Sequence, residues 1–327
     1  MSPMPITKKQ ATRLVRRIPV NRTVTTASRA GRSLGRMART IVTDPPAPAG
    51  VERPERKRNV GADYDTEWAR TYPARLARLA ALNIVWRPLV EMFAAPTVVG
   101  ADRFADVEGP VIFAANHHSH ADTPLMLTAV PEPRRNRMFI AAAADYFFAN
   151  RLSSPLSALF IGAIPVERHR VSRTAIDQSL ALLADGWNML IFPEGARSPD
   201  GWGQQFTAGA AFLSSHSGAP IVPVHIKGTD KVLPKGRSFP RPYPTTISFG
   251  AAMTIDEGED TKSFAARVQS AVARLADEAS SDWWQASRRA AADETPSLQG
   301  PEAVSWRRNW SATAKKRSGT IRTWPRV

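Results

Sequence analysis

The stretch AANHHSHADTPLM, residues 114–126, is where a strand pattern, a loop and a helix pattern follow one another. Directly before it, GPVIFAA (109–115) is a short apolar run opened by Gly-Pro, which predicts a buried strand. Asp122 stands at a predicted N-cap and Pro124 in the first turn of a predicted helix. Residues 116–122 are therefore expected to form a loop at the carboxyl end of a strand, where α/β sheets usually hold their sites.

The chain on both sides of this loop alternates between strand and helix patterns. Strands are predicted over 187–192, 219–226 and 245–250, and a strand running into a helix over 138–149. Helices are predicted over 173–186, 206–218 and 261–279. Strands separated by helices of this length predict an α/β fold with a largely parallel, mixed sheet flanked by helices.

Residues 66–96 have a different pattern, in which apolar side chains recur every three to four positions. Such spacing predicts amphipathic helices, and Pro88 is expected to break them into a pair. The pair could pack on its own domain or lie on a bilayer surface, and the pattern does not decide between the two. The apolar positions are Tyr72, Leu76, Leu79, Leu82, Trp86, Leu89 and Phe93.

The two ends of the chain are basic, whereas its middle is nearly neutral. Residues 1–60 hold 14 Lys and Arg against 3 Asp and Glu, and residues 301–327 hold 7 against 1. We predict a basic flexible leader with a Pro-rich linker over 1–65, a catalytic domain over 97–280, and a basic, Trp-containing tail over 281–327. We expect no secretory signal and no membrane-spanning helix. The sequence has no cysteine, which excludes disulfides and a thioester on the protein.

Three of the six histidines lie in the opening loop, and they allow two interpretations. A metal-dependent hydrolase could use His117, His118, His120 and Asp122 as ligands, although no further ligand cluster is evident in the sequence. An acid–base site needs less: one histidine as the base and one carboxylate to orient it. A third, separate hypothesis is a polyanion-binding module whose basic arms flank an inert domain.

Three other apolar stretches end where a site in an α/β sheet would be expected, and two of them end in charged residues. IGAIPVER (161–168) ends in Arg168, IFPEGARS (191–198) presents Glu194 and Arg197, and PIVPVHI (220–226) contains Pro223. Two arginines at neighbouring strand ends could hold a phosphate group between them.

In this order, the four stretches resemble the glycerolipid acyltransferase superfamily, which includes the glycerol-3-phosphate and lysophosphatidic acid acyltransferases. The matching blocks are Asn116-His117-x4-Asp122, Gly162-x-Ile-Pro-Val-x-Arg168, Phe192-Pro-Glu-Gly-x-Arg197-Ser and Ile221-Val-Pro-Val224. The resemblance covers about residues 75–280. It implies that His117 is a general base oriented by Asp122. It also implies that Asn116, Arg168, Glu194, Gly195 and Arg197 bind the phosphate-bearing acceptor.

The sequence departs from the family pattern at two positions. Ala196 stands where Thr is frequent, and Thr207 stands where Lys is common. Both changes leave acyl transfer intact but make another lysolipid, or a lipid alcohol, an alternative acceptor to 1-acyl-sn-glycerol-3-phosphate.

The resemblance also implies the partners of the protein. They are acyl-CoA, or fatty acyl groups carried by acyl carrier protein, as co-substrate and a lysophospholipid as acceptor. The protein is also expected to bind peripherally to the anionic surface of a membrane, on the cytoplasmic face of that membrane. No cofactor, metal or nucleic acid is expected.

Overall fold

The structure is a computed structural model that describes residues 60–167, 173–198, 201–234 and 236–300. Its strands are β1 (Pro96–Val99), β2 (Ile112–Ala115), β3 (Met138–Ala143), β4 (Ala163–Val166), β5 (Asn188–Ile191), β6 (Ile221–Lys227) and β7 (Thr245–Phe249). They form one sheet in the order β1-β7-β6-β2-β5-β3-β4. Every neighbouring pair is parallel except β6 and β7, which are antiparallel. The predicted α/β fold with a largely parallel, mixed sheet is confirmed.

Helices cover both faces of this sheet. They are α1 (Tyr72–Ala81), α2 (Arg87–Ala94), α3 (Asp122–Ala129), α4 (Ala144–Phe147), α5 (Ser153–Ile161), α6 (Arg173–Ala184), α7 (Gly209–Ser217), α8 (Thr229–Val232), α9 (Thr261–Glu278) and α10 (Trp283–Ala291). Short 3-10 turns lie at Gly61–Asp63, Glu67–Arg70, Ala101–Phe104 and Arg135–Arg137. The sequence patterns did not predict β1, α5, α8 or α10, and α10 lies in the segment predicted as a tail.

Strand β2 lies at the centre of the sheet and separates two apolar layers. All four of its residues are fully buried, as expected for a strand that is covered on both faces. On one face, Phe113 packs with residues of α2 and α3, and on the other face Ile112 packs with residues of α6, α7 and α9. The loop that follows β2 is therefore held from two sides.

The amphipathic segment differs from its prediction in two ways. A π-helical turn, Leu82–Trp86, joins α1 to α2, and Pro88 lies in the first turn of α2 without ending the helical path. The apolar stripe is also split between two faces. Leu82 and Val90 are buried in the core, whereas the exposed side carries Tyr72, Leu76, Ile84, Val85, Leu89 and Met92.

Arg78 is an exception within the same segment because it is a buried cation, 4% exposed. It donates hydrogen bonds to the backbone carbonyls of Ala69, Ala158 and Leu159, and so ties α1 to α5. Burial, with the nearby charges of Arg70 and Arg75, lowers the pKa of Arg78 to about 10. The guanidinium is therefore still charged at neutral pH. Across the described ranges, no helix combines the length and apolar character needed to cross a bilayer.

Candidate active site

The loop after β2 is fixed to the neighbouring strand by Asn116. The Asn116 amide nitrogen donates to the Ile226 carbonyl at 2.9 Å, and its oxygen accepts from the Ile226 backbone N–H at 2.7 Å. The side chain is 1% exposed and does not line the nearby cavity. The end of β6 thus uses both ends of the Asn116 amide, so the side chain positions the loop, and its predicted substrate contact stays a prediction.

His117 and Asp122 form the hydrogen-bonded pair that the sequence predicted. Nδ1 of His117 lies 2.8 Å from Oδ2 of Asp122. An ionised carboxylate can only accept, so it holds the imidazole in the tautomer with hydrogen on Nδ1 and leaves Nε2 with a lone pair. The His117 side chain is 17% exposed and lines a cavity, whereas that of Asp122 is fully buried.

Asp122 does not cap its helix as predicted. The N-cap is Ala121, and Asp122 is the first residue of α3. Its carboxylate turns back to the loop, where Oδ2 also accepts the backbone N–H groups of His118 and Ser119, each at 2.8 Å. One oxygen thus fixes the loop and the imidazole together.

The surroundings of Asp122 keep it ionised. Burial alone raises the pKa of its carboxyl group, but the hydrogen bond and charge of His117, followed by the Ser119 N–H, hold the pKa below its ordinary value. The Thr229 hydroxyl contributes in the same direction. That hydroxyl and Oδ1 of Asp122 are both buried, and neither has a hydrogen-bond partner of ordinary geometry in the described residues.

A second loop, after β5, supports His117 from the other side. The Phe192 ring stacks on the imidazole with centroids 4.0 Å apart and an interplanar angle of 18°. Glu194 is 6% exposed, and its two oxygens accept the backbone N–H groups of His117 and Gln204, each at 2.9 Å. Glu194 does not line the cavity. Glu194 thus joins the two loops, and its predicted acceptor contact stays a prediction.

Next to this bond, the backbone turns at Gly195. Its φ of 71° lies in the left-handed region that favours glycine, and a Cβ there would meet no atom within 4 Å. Both Gly195 and Arg197 line the cavity. Their predicted contacts with an acceptor fit this placement and stay predictions.

The cavity beside His117 has a volume of about 580 Å³, within the roughly 300–1,000 Å³ of small-molecule sites. It lies between the sheet and helices α6 and α7, and apolar side chains form most of its wall. The lining includes Ile140, Tyr146, Phe147, Ile161, Val166, Ile176, Met189, Ile191, Phe192, Phe212 and Leu213. A polar rim at His117 and Arg197 thus opens onto an apolar interior, a division that suits a molecule with a charged head and a hydrocarbon chain.

Two further family positions bear on this cavity. Arg168 lies outside the described residues, although Val166 and Glu167 just before it line the wall. Thr207 also lines the cavity, and its hydroxyl donates to the Pro193 carbonyl at 2.9 Å. At this point of the wall, a neutral group therefore stands where the family commonly has a cation.

The other histidines of the loop do not join His117 in one cluster. The His120 ring stacks on Tyr146 with centroids 5.1 Å apart. His118 lies toward His225, whose pKa it helps to lower after the larger effect of burial. Among the residues that the structure describes, no three His, Asp or Glu side chains converge as metal ligands. The hydrolase interpretation therefore has no ligand set in these ranges.

Sequence reasoning missed Phe192 as the stacking partner of His117 and Thr229 as a neighbour of Asp122. The motif includes Phe192 without giving it a role. An aromatic residue at a strand end next to the predicted base is nevertheless a signal that its ring could stack on the imidazole. Thr229 follows β6 in a stretch with no motif, so only the fold brings it to Asp122.

The His117–Asp122 pair lies beside an apolar cavity, as the resemblance to the acyltransferases implies, and comparison with known proteins supports that resemblance. Residues 95–227 match the family model described as Acyltransferase. This match and the relatives below support the predicted resemblance to the glycerolipid acyltransferase, PlsC-like family.

Curated relatives and a solved structure support this placement. A 1-acyl-sn-glycerol-3-phosphate acyltransferase of Chlamydomonas reinhardtii is 28% identical over 177 residues, which cover 52% of this chain and 50% of the relative. A chloroplastic protein of the same name from Brassica napus is 26% identical over 141 residues, 42% of this chain and 39% of the relative. This chain therefore spans half or less of these relatives. The crystal structure of the lysophosphatidic acid acyltransferase PlsC from Thermotoga maritima has the same fold, with a TM-score of 0.51, 22% identity, and coverage of 66% of this chain and 88% of that one.

Proposed function

We propose that the protein transfers a fatty acyl group from acyl-CoA to the free hydroxyl of 1-acyl-sn-glycerol-3-phosphate, which gives phosphatidic acid. It acts while bound peripherally to the cytoplasmic face of a membrane. The observation that carries the proposal is the His117–Asp122 pair at 2.8 Å on the rim of an apolar cavity that also holds Arg197. The names of the curated relatives support acyl transfer to the same acceptor.

The chemistry follows from the free ring nitrogen of His117. Asp122 occupies Nδ1, so Nε2 can accept the proton of the acceptor hydroxyl as its oxygen attacks the thioester carbonyl. The new C–O bond forms, the C–S bond breaks, and the thiolate of coenzyme A leaves and takes up the proton that His117 had accepted. The Asp122 carboxylate stabilises the imidazolium that forms in between. Base catalysis of this kind is typically worth about 10²- to 10⁴-fold.

Transfer is direct in this scheme. The sequence has no cysteine to carry an acyl group, and Ser119 Oγ already donates to the Leu233 carbonyl at 2.8 Å. Both substrates must therefore occupy the site together, with the phosphate of the acceptor near Arg197.

Another lysolipid is a second candidate acceptor, and a specific observation favours it. Thr207, bonded to Pro193, replaces the common cation on the cavity wall, and Ala196 replaces a hydroxyl. A site with fewer cations holds a doubly charged phosphate less strongly, so a singly charged lysophospholipid becomes a competing substrate.

Membrane association is supported by the exposed apolar side of α1 and α2. Ile84 is 74% exposed and Met92 is 63% exposed, and arginines are interspersed along the same segment. Apolar side chains beside cations suit the interface between acyl chains and anionic headgroups.

The test is release of free thiol from palmitoyl-CoA, measured with a panel of lysolipids and with acyl carrier protein as the alternative donor. We expect activity to be highest with 1-acyl-sn-glycerol-3-phosphate. His117→Ala should reduce turnover at least about 100-fold. A matched control is His216→Gln, since His216 is exposed on α7. If no lysolipid stimulates thiol release, or if His117→Ala turns over normally, the proposal is wrong.

A further inference from the structure

The segment Gly236–Tyr243, GRSFPRPY, follows α8 and has no role in the proposed chemistry. We call it the Phe239 loop. Phe239 is 84% exposed, more than any other large apolar side chain in the described ranges. A single exposed apolar residue is ordinary, but Phe239 is held in place by its loop and has cations on both sides.

The carboxyl-terminal half of the Phe239 loop is fixed by backbone hydrogen bonds to two other elements. The Arg241 backbone N–H donates to the Val232 carbonyl at 2.8 Å, and the Tyr243 N–H donates to the Phe93 carbonyl at 3.0 Å. Pro240 and Pro242 fix φ on either side of Arg241. The exposed ring is therefore presented at a set place on the molecule.

That place is continuous with two features already described. The bond from Tyr243 to Phe93 joins the loop to the end of α2, whose exposed side carries Leu89 and Met92. At its other end, the Leu233 carbonyl just before the loop accepts Ser119 Oγ at 2.8 Å, in the loop of His117. The Phe239 loop connects β6 to β7 and thus lies at the same edge of the sheet as the loop of His117, which follows β2.

The charges beside the ring select an anionic partner. Arg237 and Arg241 are both exposed and flank Phe239, and neither pairs with a carboxylate within the part of the chain that the structure describes. Lys231 nearby is paired with Asp230 at 3.1 Å. An aromatic ring between two unpaired cations suits insertion below anionic lipid headgroups.

We propose that the Phe239 loop is a second membrane-contact element. It inserts Phe239 into an anionic bilayer, places Arg237 and Arg241 against lipid phosphates, and together with α2 sets the edge carrying His117 against the bilayer. The inference rests on the proposed function, since that function places a lipid substrate at this edge.

The first test is sedimentation of the full chain with vesicles of phosphatidylcholine, alone or mixed equally with phosphatidylglycerol. Phe239→Ser should weaken partition into the mixed vesicles about 10-fold, from the apolar area it removes. Arg237→Gln with Arg241→Gln should weaken it about 5-fold per cation, and added salt should shrink that difference. The control is Trp284→Ser, which removes an exposed aromatic from α10 and should bind as the wild type does.

The second test reports on insertion itself. Because the sequence has no cysteine, Phe239→Cys offers a single site for an environment-sensitive fluorophore, and Trp284→Cys offers the control site. The label at 239 should shift to the blue on mixed vesicles, and the label at 284 should not. The inference is overturned if the fluorescence of the label at 239 does not change on mixed vesicles, or if Phe239→Ser binds vesicles as the wild type does. It is also overturned if the fluorescence shifts to the blue when a soluble protein is added but not when vesicles are added.

These readouts are independent of catalysis, because the vesicles contain neither substrate. If the label at 239 reports insertion but the wild type transfers no acyl group in detergent micelles, the proposed function is wrong and the membrane contact remains supported. If it transfers acyl groups but Phe239 does not insert, only the inference about the loop fails.

Discussion

Asp122→Asn is the substitution that tests the proposed mechanism most directly. An asparagine has the shape of the aspartate, and its oxygen can accept the same three donors that Oδ2 accepts now, from His117, His118 and Ser119. Its NH₂ would face the buried Thr229 hydroxyl, which can accept a hydrogen bond. The variant should therefore keep the loop in place and lose only the negative charge.

The size of the effect follows from the distance between the two groups. At 2.8 Å and an effective dielectric constant of about 20, an imidazolium and a carboxylate attract by about 6 kcal/mol. His117 is 17% exposed, so water can replace part of this stabilisation when the charge is removed. If about half is lost, the barrier rises by about 3 kcal/mol, and turnover falls on the order of 100-fold.

The assay is steady-state thiol release from palmitoyl-CoA with the preferred lysolipid, together with thermal unfolding of each variant. Turnover should fall while the acceptor KM stays near its wild-type value, since Asp122 does not line the cavity. Asp102→Asn removes an exposed carboxylate elsewhere and serves as the charge-matched control. A folded Asp122→Asn protein with turnover within threefold of the wild type would refute the assigned role.

Three further predictions concern the surroundings of this pair. Arg197→Gln should raise the acceptor KM about 10-fold with a smaller change in turnover, whereas Arg288→Gln on α10 should change neither; an unchanged KM would separate Arg197 from the phosphate. Glu194→Gln leaves one buried backbone N–H without an acceptor, so it should cost about 1–3 kcal/mol of unfolding free energy and lower turnover by displacing His117; unchanged thermal unfolding would contradict this. Burial, and after it the charges of His118 and Lys227, lowers the pKa of His225 from 6.5 to about 3. As the pH falls below 6.5, His225 is protonated in the unfolded chain but not in the folded protein, so the stability of the fold decreases. Between pH 7 and 5 this loss should be about 2 kcal/mol, and a His225→Gln variant with the same slope would disprove it.

Much of the site could be predicted because its signals are local in the chain. His117 and Asp122 are five residues apart, and a strand-to-helix turn brings such positions together. The placement of Gly195 and Arg197 after β5 follows from the rule that parallel strands end at one edge. Local periodicity also predicted the largely parallel, mixed sheet and most of the helices.

The positioning contacts could not be predicted because they join residues far apart in the sequence. Glu194 reaches the N–H of His117 across 77 positions, and Asn116 reaches Ile226 across 110. A motif shows that such a residue is present but not whether its side chain faces a substrate or a backbone group. The motifs predict that both side chains contact the acceptor, whereas the bonds seen in the structure are to backbone groups.

The helices of the amphipathic segment show a second limit. Their apolar residues occupy more than one stripe, so periodicity alone assigned Tyr72 and Leu76 to the same face as Leu82. The side of α1 that carries Arg78 is buried against α5, because Arg78 donates hydrogen bonds to carbonyl groups of α5. The buried face of α1 is therefore set by a partner that its own sequence does not specify.

The bond between Glu194 and the His117 backbone has a consequence for protein engineering. A chimera that takes residues 192–198 from a relative, with the aim of changing the acceptor, also replaces the support of His117, the proposed general base. The same graft would exchange the ring stacked on the imidazole. Acceptor preference and catalytic rate are therefore expected to change together in such chimeras unless residues 116–122 are transplanted with them.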